Sequence, residues 1–215
     1  MTKRLGKRDR VTRDRVTTET SVRLSLGLDG PAKYSVHTTL PFLDHMLELF
    51  AKHGNFYLEV EAKGDTHIDD HHLVEDIGLT LGETLAEALG NKRGIVRYGQ
   101  ALKIGADGRG IGRALTPMDE TLSYVALDLS GRPYFDFKVK FTVQNKAPFC
   151  FELLDDFFQA VAMSAKMNLH IKLLQGRNNH HIAESIFKGF GRALAQAVAV
   201  DPRRASVVPS TKGSL

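Results

Sequence analysis

Residues 69–89 read DDHHLVEDIGLTLGETLAEAL, and residues 178–198 read NNHHIAESIFKGFGRALAQAV. Each opens with a polar pair, continues with two adjacent histidines, and places a glutamate one turn further on. In register, His71 meets His180, His72 meets His181 and Glu75 meets Glu184. Asp70 meets Asn179, and Ile77, Gly82, Leu85 and Ala88 meet Ile186, Gly191, Leu194 and Ala197. Apolar residues recur at three- and four-residue spacing behind both motifs, which predicts two amphipathic helices. Chance rarely writes HHxxE twice with one helical pattern behind it, so the chain reads as a duplication.

The duplication extends upstream. FLDHMLELFAKHG (residues 42–54) matches LLDDFFQAVAMSAK (residues 153–166), with Asp44 on Asp155 and His45 on Asp156. Alternating stretches bounded by Gly, Pro and Asp read as strands: TSVRLSLGLD, YSVHTTL and FYLEVEAKGD in the first half, then TLSYVALDLS, YFDFKVKFTV and NLHIKLLQGRN in the second. Each half therefore runs strands, helix, strand, helix. The expected fold is α+β, with two repeated half-domains at residues 1–93 and 94–215 and the helices packed between two sheets. Neither half has enough elements to stand alone. The glycine-rich stretch LKIGADGRGIGRA (residues 102–114) fits no repeat and reads as a surface loop; it lacks the ending of a P-loop.

Composition narrows the function. With 42% hydrophobic and 25% charged residues, the chain is ordinary globular protein able to bury a core. No apolar run is long enough to span a bilayer, so no membrane role is expected. The basic start, MTKRLGKRDRVTRDRV, has no apolar core of a secretory signal and reads as a solvated arm. Cys150 is the only cysteine, which excludes an intrachain disulfide and a thiolate zinc site and fits a cytoplasmic location. The net charge of +4 is mild and the cations are scattered without aromatic neighbours. That favours a small anionic substrate over nucleic acid.

On a helix each residue turns by about 100°. His71 and Glu75 share a face, and His72 and Glu75 share its other flank, but the two histidines diverge and are poorly placed to grip one ion. Two ions, one histidine for each, is the natural use. Adding the preceding helix gives His45, His71, His72, Glu75, Asp156, His180, His181 and Glu184 as candidate ligands. Imidazole and carboxylate without thiolate point to octahedral Mn²⁺ or Fe²⁺ more than to structural Zn²⁺. Asp70 and Asn179 are placed to cap the helices, with one of residues 69–70 or 178–179 alternatively orienting a histidine. His53 can share a face with His45. His170 reads as a packed strand residue, His67 as surface, and His37 has no assigned role.

With the repeat in place, the chain resembles the imidazoleglycerol-phosphate dehydratases of histidine biosynthesis. The matching pieces are VTTET, LPFLDHML with KHG, GDTHIDDHHLVEDIGLTLGETL, PMDETL with LDLSGRPY, NNHHIAESIFKGFGRALAQAV and the tail VPSTKGSL. They cover nearly everything after Val16. The resemblance implies two half-domains with helices between the sheets, two Mn²⁺ per chain, ligands drawn from neighbouring subunits, and a closed homo-oligomeric shell of roughly 24 chains. The family's metal ligands fall on His45, His71, His72, Glu75, His180, His181 and Glu184. The remaining one, usually histidine, falls on Asp156, a departure.

The activity so implied is dehydration of D-erythro-imidazoleglycerol phosphate to imidazole-acetol phosphate. Each ring nitrogen meets one ion, and the resulting imidazolate, bridging both metals, expels the neighbouring hydroxyl. Glu19 and Glu184 are the favoured acid/base groups, with Glu75 close enough to share the role. Substrate positions implied are Glu19, His45, His53, His71, His72 and His180, with Arg97, Arg132, Ser210, Thr211 and Lys212 for the phosphate. The tail (residues 207–215) is expected to cover bound substrate. Two other readings stay open on the residues alone: a two-metal phosphatase, and a metal-dependent assembly or storage protein.

Overall fold

The computed structural model describes residues 8–100, 115–142, 149–213 and 215. Strands β1 (Val11–Val16), β2 (Thr20–Gly27), β3 (Lys33–His37) and β4 (Tyr57–Gly64) form one sheet in the order β1-β2-β4-β3. Strands β5 (Tyr98–Gln100), β6 (Leu115–Met118), β7 (Thr121–Asp128), β8 (Tyr134–Lys138) and β9 (Asn168–Gln175) form the other, in the order β5-β7-β9-β8 with β6 also on β7. The two orders are the same topology twice. In each sheet the strand before the helix runs parallel to the strand after it, β3 to β4 and β8 to β9, and the other pairs are antiparallel.

Helices α1 (Pro41–Gly54) and α2 (His71–Leu89) lie on the first sheet; α3 (Leu153–Ser164) and α4 (Asn179–Val198) lie on the second. Between the sheets the helices pair across the halves, α1 with α4 and α2 with α3. Leu43, Met46, Leu47, Phe50 and Ala51 recur every third or fourth residue on α1 and are buried. Phe50 stacks on Phe190 of α4 with ring centroids 5.2 Å apart. The core is thus made from both halves at once.

Glycine sets the closeness of these pairs. A Cβ at Gly82 of α2 would stand 2.7 Å from the Val161 carbonyl oxygen of α3, and one at Gly191 of α4 would stand 2.5 Å from the Phe50 carbonyl oxygen of α1. These two glycines are repeat mates, so the duplication preserved the contact itself.

Two expectations need correction. Residues 11–16 are not a solvated arm: they form edge strand β1, with Val11 opposite Leu26 and Val16 opposite Ser21. The alternating burial of β1 and the Arg15–Asp76 ion pair (2.6 Å) give a polar, arginine-rich strand a reason to dock. Secondly, the strand in YFDFKVKFTV ends at Lys138. The stretch at residues 102–114 lies outside the described residues. It falls between β5 and β6, which pair with opposite ends of β7 and together occupy the edge that β1 holds unbroken in the first sheet.

Candidate active site

At the N-terminal ends of α1 and α4, His45, His180 and Glu184 converge, their ligand atoms within 4.8 Å of one another. His45 Nε2 lies 3.2 Å from Glu184 Oε1, and His180 Nε2 lies 3.0 Å from the same oxygen. The imidazoles are 44% and 46% exposed, whereas the glutamate side chain is only 10% exposed. Burial alone would raise the Glu184 pKa, but hydrogen bonds from Lys188, His45 and His180 outweigh it and hold the carboxyl down at about 2. Lys188 closes tightly on Glu184 one turn along the helix. The sequence reading missed Lys188, although its four-residue spacing from Glu184 was a visible signal.

The repeat mate of this cluster sits at the N-terminal ends of α2 and α3. His71 Nδ1 lies 3.7 Å from Asp156 Oδ2. Glu75 is exposed and, among the described residues, joins neither compact cluster. As the helical arithmetic required, the adjacent histidines diverge: the rings of His71 and His72 are 6.1 Å apart at 85°, and those of His180 and His181 are 6.4 Å apart at 84°.

The second histidine of each pair meets carboxylates instead. His72 Nδ1 lies 3.1 Å from Asp65 Oδ2 and 3.9 Å from Glu19 Oε2, and Glu19, Asp65 and His72 form a second compact donor group. His181 Nδ1 lies 2.8 Å from Glu120 Oε2, with Asp119 3.7 Å from its Nε2. The hydrogen bond to Asp65 raises the pKa of His72, and that to Glu120 raises the pKa of His181. Neither Asp65 nor Glu120 was picked out from the sequence. The signal for Glu120 was the Glu-Thr pair, Glu19-Thr20 before β2 and Glu120-Thr121 before β7.

Asp70 is the N-cap residue of α2 as expected, but its side chain makes no capping hydrogen bond; the N-cap of α4 is Asn178 rather than Asn179. Asp69, not Asp70, accepts the His71 backbone N–H at 2.8 Å; Asn178, not Asn179, accepts that of His180 at 2.9 Å. Asn179 is buried and exchanges hydrogen bonds with the Thr142 backbone. Both caps therefore fix the first helical turn at its ligating histidine candidate. His53 is on the last turn of α1; burial, then the charges of Lys188, Arg192 and Lys52, hold its pKa below 6.5.

The cationic candidates gather at the other end of α4. The Arg97 backbone N–H donates to Ala197, and its buried guanidinium forks onto Asp128 at 2.6 and 2.9 Å. Its Nη1 donates to the Pro209 carbonyl at 2.9 Å. Arg97 thus anchors the tail, a role the sequence did not disclose. The Val207 carbonyl accepts the Gly94 N–H, and Leu215 packs against Gly131, whose αL conformation (φ 75°) and lack of Cβ permit the approach. Arg132, Thr211 and Lys212 are exposed beside it, and Ser210 Oγ accepts the Lys212 N–H. His180 and Ala197 are separated along α4 by roughly 25 Å, at about 1.5 Å per residue. The imidazole–carboxylate cluster and the cationic tail of one chain cannot close on one small molecule.

This fold, with paired imidazole–carboxylate clusters and a remote cationic tail, defines a protein that presents imidazole and carboxylate side chains able to hold a metal at repeated helix N-termini. The family model for imidazoleglycerol-phosphate dehydratase matches residues 38–194. The chain is 51% identical over 201 residues to the imidazoleglycerol-phosphate dehydratase of Geobacillus kaustophilus, covering 94% of this chain and 96% of that one. It is 53% identical to that of Endomicrobium trichonymphae, at 94% and 95% coverage. The crystal structures of the dehydratases from Staphylococcus aureus and Pyrococcus furiosus superpose with TM-scores of 0.75 and 0.76 at 36% and 34% identity, covering 90% and 94% of this chain and all of theirs. The chain belongs to the imidazoleglycerol-phosphate dehydratase family and is an enzyme, a lyase that removes water.

Proposed function

We propose that this chain converts imidazoleglycerol phosphate to imidazole-acetol phosphate, a step of histidine biosynthesis, and that it does so with two divalent metal ions per chain, Mn²⁺ first among them. The observation that carries the metal part is the duplicated helix-end cluster, His45 with His180 and Glu184, and Asp156 with His71. Nitrogen and hard oxygen donors in these sets suit Mn²⁺ or Fe²⁺, and the exposed imidazoles leave room for a further ligand. His72, His181 and Glu75 supply the remaining donors. When bound, such ions act as Lewis acids toward the substrate's imidazole ring.

The protein's own groups do the rest. Glu19, exposed and beside His72, is a carboxylate free to take or give a proton at the substrate carbons; Glu184 and Glu75 are the alternatives. Lys212 and Arg132, with the Ser210 and Thr211 hydroxyls, bind the phosphate as cations and hydrogen-bond donors. Arg97 holds the tail in place and adds its charge. His53 and Lys188 flank the ring-binding end.

Because the two clusters lie at opposite ends of α4, the phosphate group must meet the tail of a different chain from the one supplying His180. A closed homo-oligomer, such as a 24-chain shell, supplies that arrangement. The low cysteine content and the absence, among the described residues, of any helix able to cross a membrane accord with a cytoplasmic setting.

The test is turnover of imidazoleglycerol phosphate by purified protein, before chelation, after it, and after Mn²⁺ return. Product retaining its phosphate, lost and regained with the metal, supports the reading. Release of inorganic phosphate would instead make the protein a phosphatase. Mn²⁺ binding with no turnover would leave an assembly or storage role.

A further inference from the structure

The duplication is broken at one place that matters. Glu19 and Glu120 are repeat mates, each preceding the threonine that opens a central strand, β2 or β7. Each approaches the second histidine of its half, yet at different range: 3.9 Å for Glu19 to His72, and 2.8 Å for Glu120 to His181. In the first half another carboxylate, Asp65, takes the close position on His72 at 3.1 Å. Asp65 follows β4. A Cβ at Gly64 would meet Thr20 and Leu73, and one at Gly176 would meet Thr121 and Ile182, their repeat mates, so Gly176 matches Gly64 and the place of Asp65 falls to Arg177. Arg177 has no carboxylate to offer His181, and its backbone N–H donates to Glu120 Oε1 instead.

We infer that Glu120 is a positioning residue for His181, accepting its Nδ1–H so that Nε2 is turned out as the ligating atom, and that Asp65 does the same for His72, leaving Glu19 unencumbered. Glu120 is itself held for this work. Its Oε1 accepts the backbone N–H of Asn178 at 2.9 Å and of Arg177 at 3.3 Å, while Oε2 faces His181. A carboxylate tied to the cap of α4 on one oxygen and to the ring on the other fixes the ring relative to the helix. A histidine whose far nitrogen is held this way presents one tautomer and one orientation, which strengthens its hold on a metal. Glu19, without that tie, keeps both oxygens for substrate. One duplicated glutamate has thus become two different parts, one structural to the metal site and one available for proton transfer. This inference rests on the metal reading of His72 and His181.

The experiment measures Mn²⁺ affinity by calorimetry, together with kcat and KM, for wild type, Glu120→Ala, Glu120→Gln and Asp65→Asn. Glutamine keeps one carbonyl oxygen able to accept the Nδ1–H, but its amide nitrogen cannot accept the backbone N–H groups of Arg177 and Asn178, and it cannot transfer a proton. Glu120→Ala is expected to weaken Mn²⁺ binding about 10–100-fold, and Glu120→Gln, which keeps one of the two acceptors, to restore part of that affinity and turnover. Asp65→Asn is expected to behave as Glu120→Gln does. Wild-type affinity in Glu120→Ala, or loss of kcat in Glu120→Gln with affinity intact, would overturn the inference while leaving the metal reading standing. If Glu120→Ala does not fold, Glu120→Gln decides alone by the same two readouts. Wild-type protein that binds no Mn²⁺ would overturn the metal reading itself, and this inference with it.

Discussion

Asp156 Oδ2 stands 3.7 Å from His71 Nδ1 across the α2–α3 pair, the place that His45 occupies beside His180 across α1 and α4. An aspartate is shorter than histidine and carries charge, but its oxygen suits the same hard cations. On the proposed two-metal reading, Asp156→Ala is expected to reduce bound Mn²⁺ from two equivalents per chain to one and to lower turnover at least ~10-fold, because it would remove one ligand outright. Asp156→His should restore both. Elemental analysis of the purified variants checks it, and full metal content in Asp156→Ala would exclude Asp156 as a ligand.

The helix contact at Gly191 admits no side chain. Gly191→Ala places a methyl group 2.5 Å from a backbone oxygen of Phe50, which only a shift of α1 or α4 can relieve. Overpacking of this kind costs about 1–3 kcal/mol. A lower unfolding midpoint is expected, and a midpoint equal to wild type would show that the helices separate freely.

Arg97 and Lys212 should separate stability from binding. Arg97 is buried against Asp128, so Arg97→Ala leaves a carboxylate without its partner and releases the Pro209 carbonyl. Breaking such a pair costs about 3–5 kcal/mol, visible as a reduced melting temperature. Lys212 is exposed, so Lys212→Ala should melt as wild type and show a raised KM. Deleting residues 209–215 should act in the same direction, more strongly.

His53 gives a pH dependence with a definite sign. Lys188 and Arg192 of α4 face it, Lys52 adjoins it, and Glu184 opposes them, while burial is the largest influence; together they hold its pKa below 6.5. Well above pH 6.5 the ring is neutral folded and unfolded, and nothing is lost. As pH falls below 6.5 toward the folded value, the unfolded chain takes up the proton first and stability declines. His53→Gln should flatten that acid-side decline in urea unfolding of metal-free protein. An unchanged curve would mean that His53 is not the group responsible.

Much of this was legible in the sequence because the duplication carries it. HHxxE appears twice, and the divergence of adjacent histidines follows from helical geometry alone. What was hidden depended on contacts between distant positions. Glu120 meets His181 across 61 residues, and Arg97 meets Pro209 across 112. Neither pairing has a local spacing to betray it. Strand β1 was hidden differently: VTRDRV looks solvated, and only the arginine's pairing with buried Asp76 shows why its polar face is tolerated. The side-chain oxygens that accept the first histidine's N–H come from Asp69 and Asn178 rather than from Asp70 and Asn179, a difference that turn geometry decides and composition does not.

The most direct measurement is complementation between His180→Ala and Lys212→Ala chains, each of which should be nearly inactive alone when assayed with substrate far below the raised KM of Lys212→Ala. If the metal cluster and the phosphate-binding tail come from different chains, mixed oligomers regain activity at roughly a quarter of their sites by random pairing of subunits. No recovery in oligomers proven by mass to contain both chains would contradict a site shared between subunits.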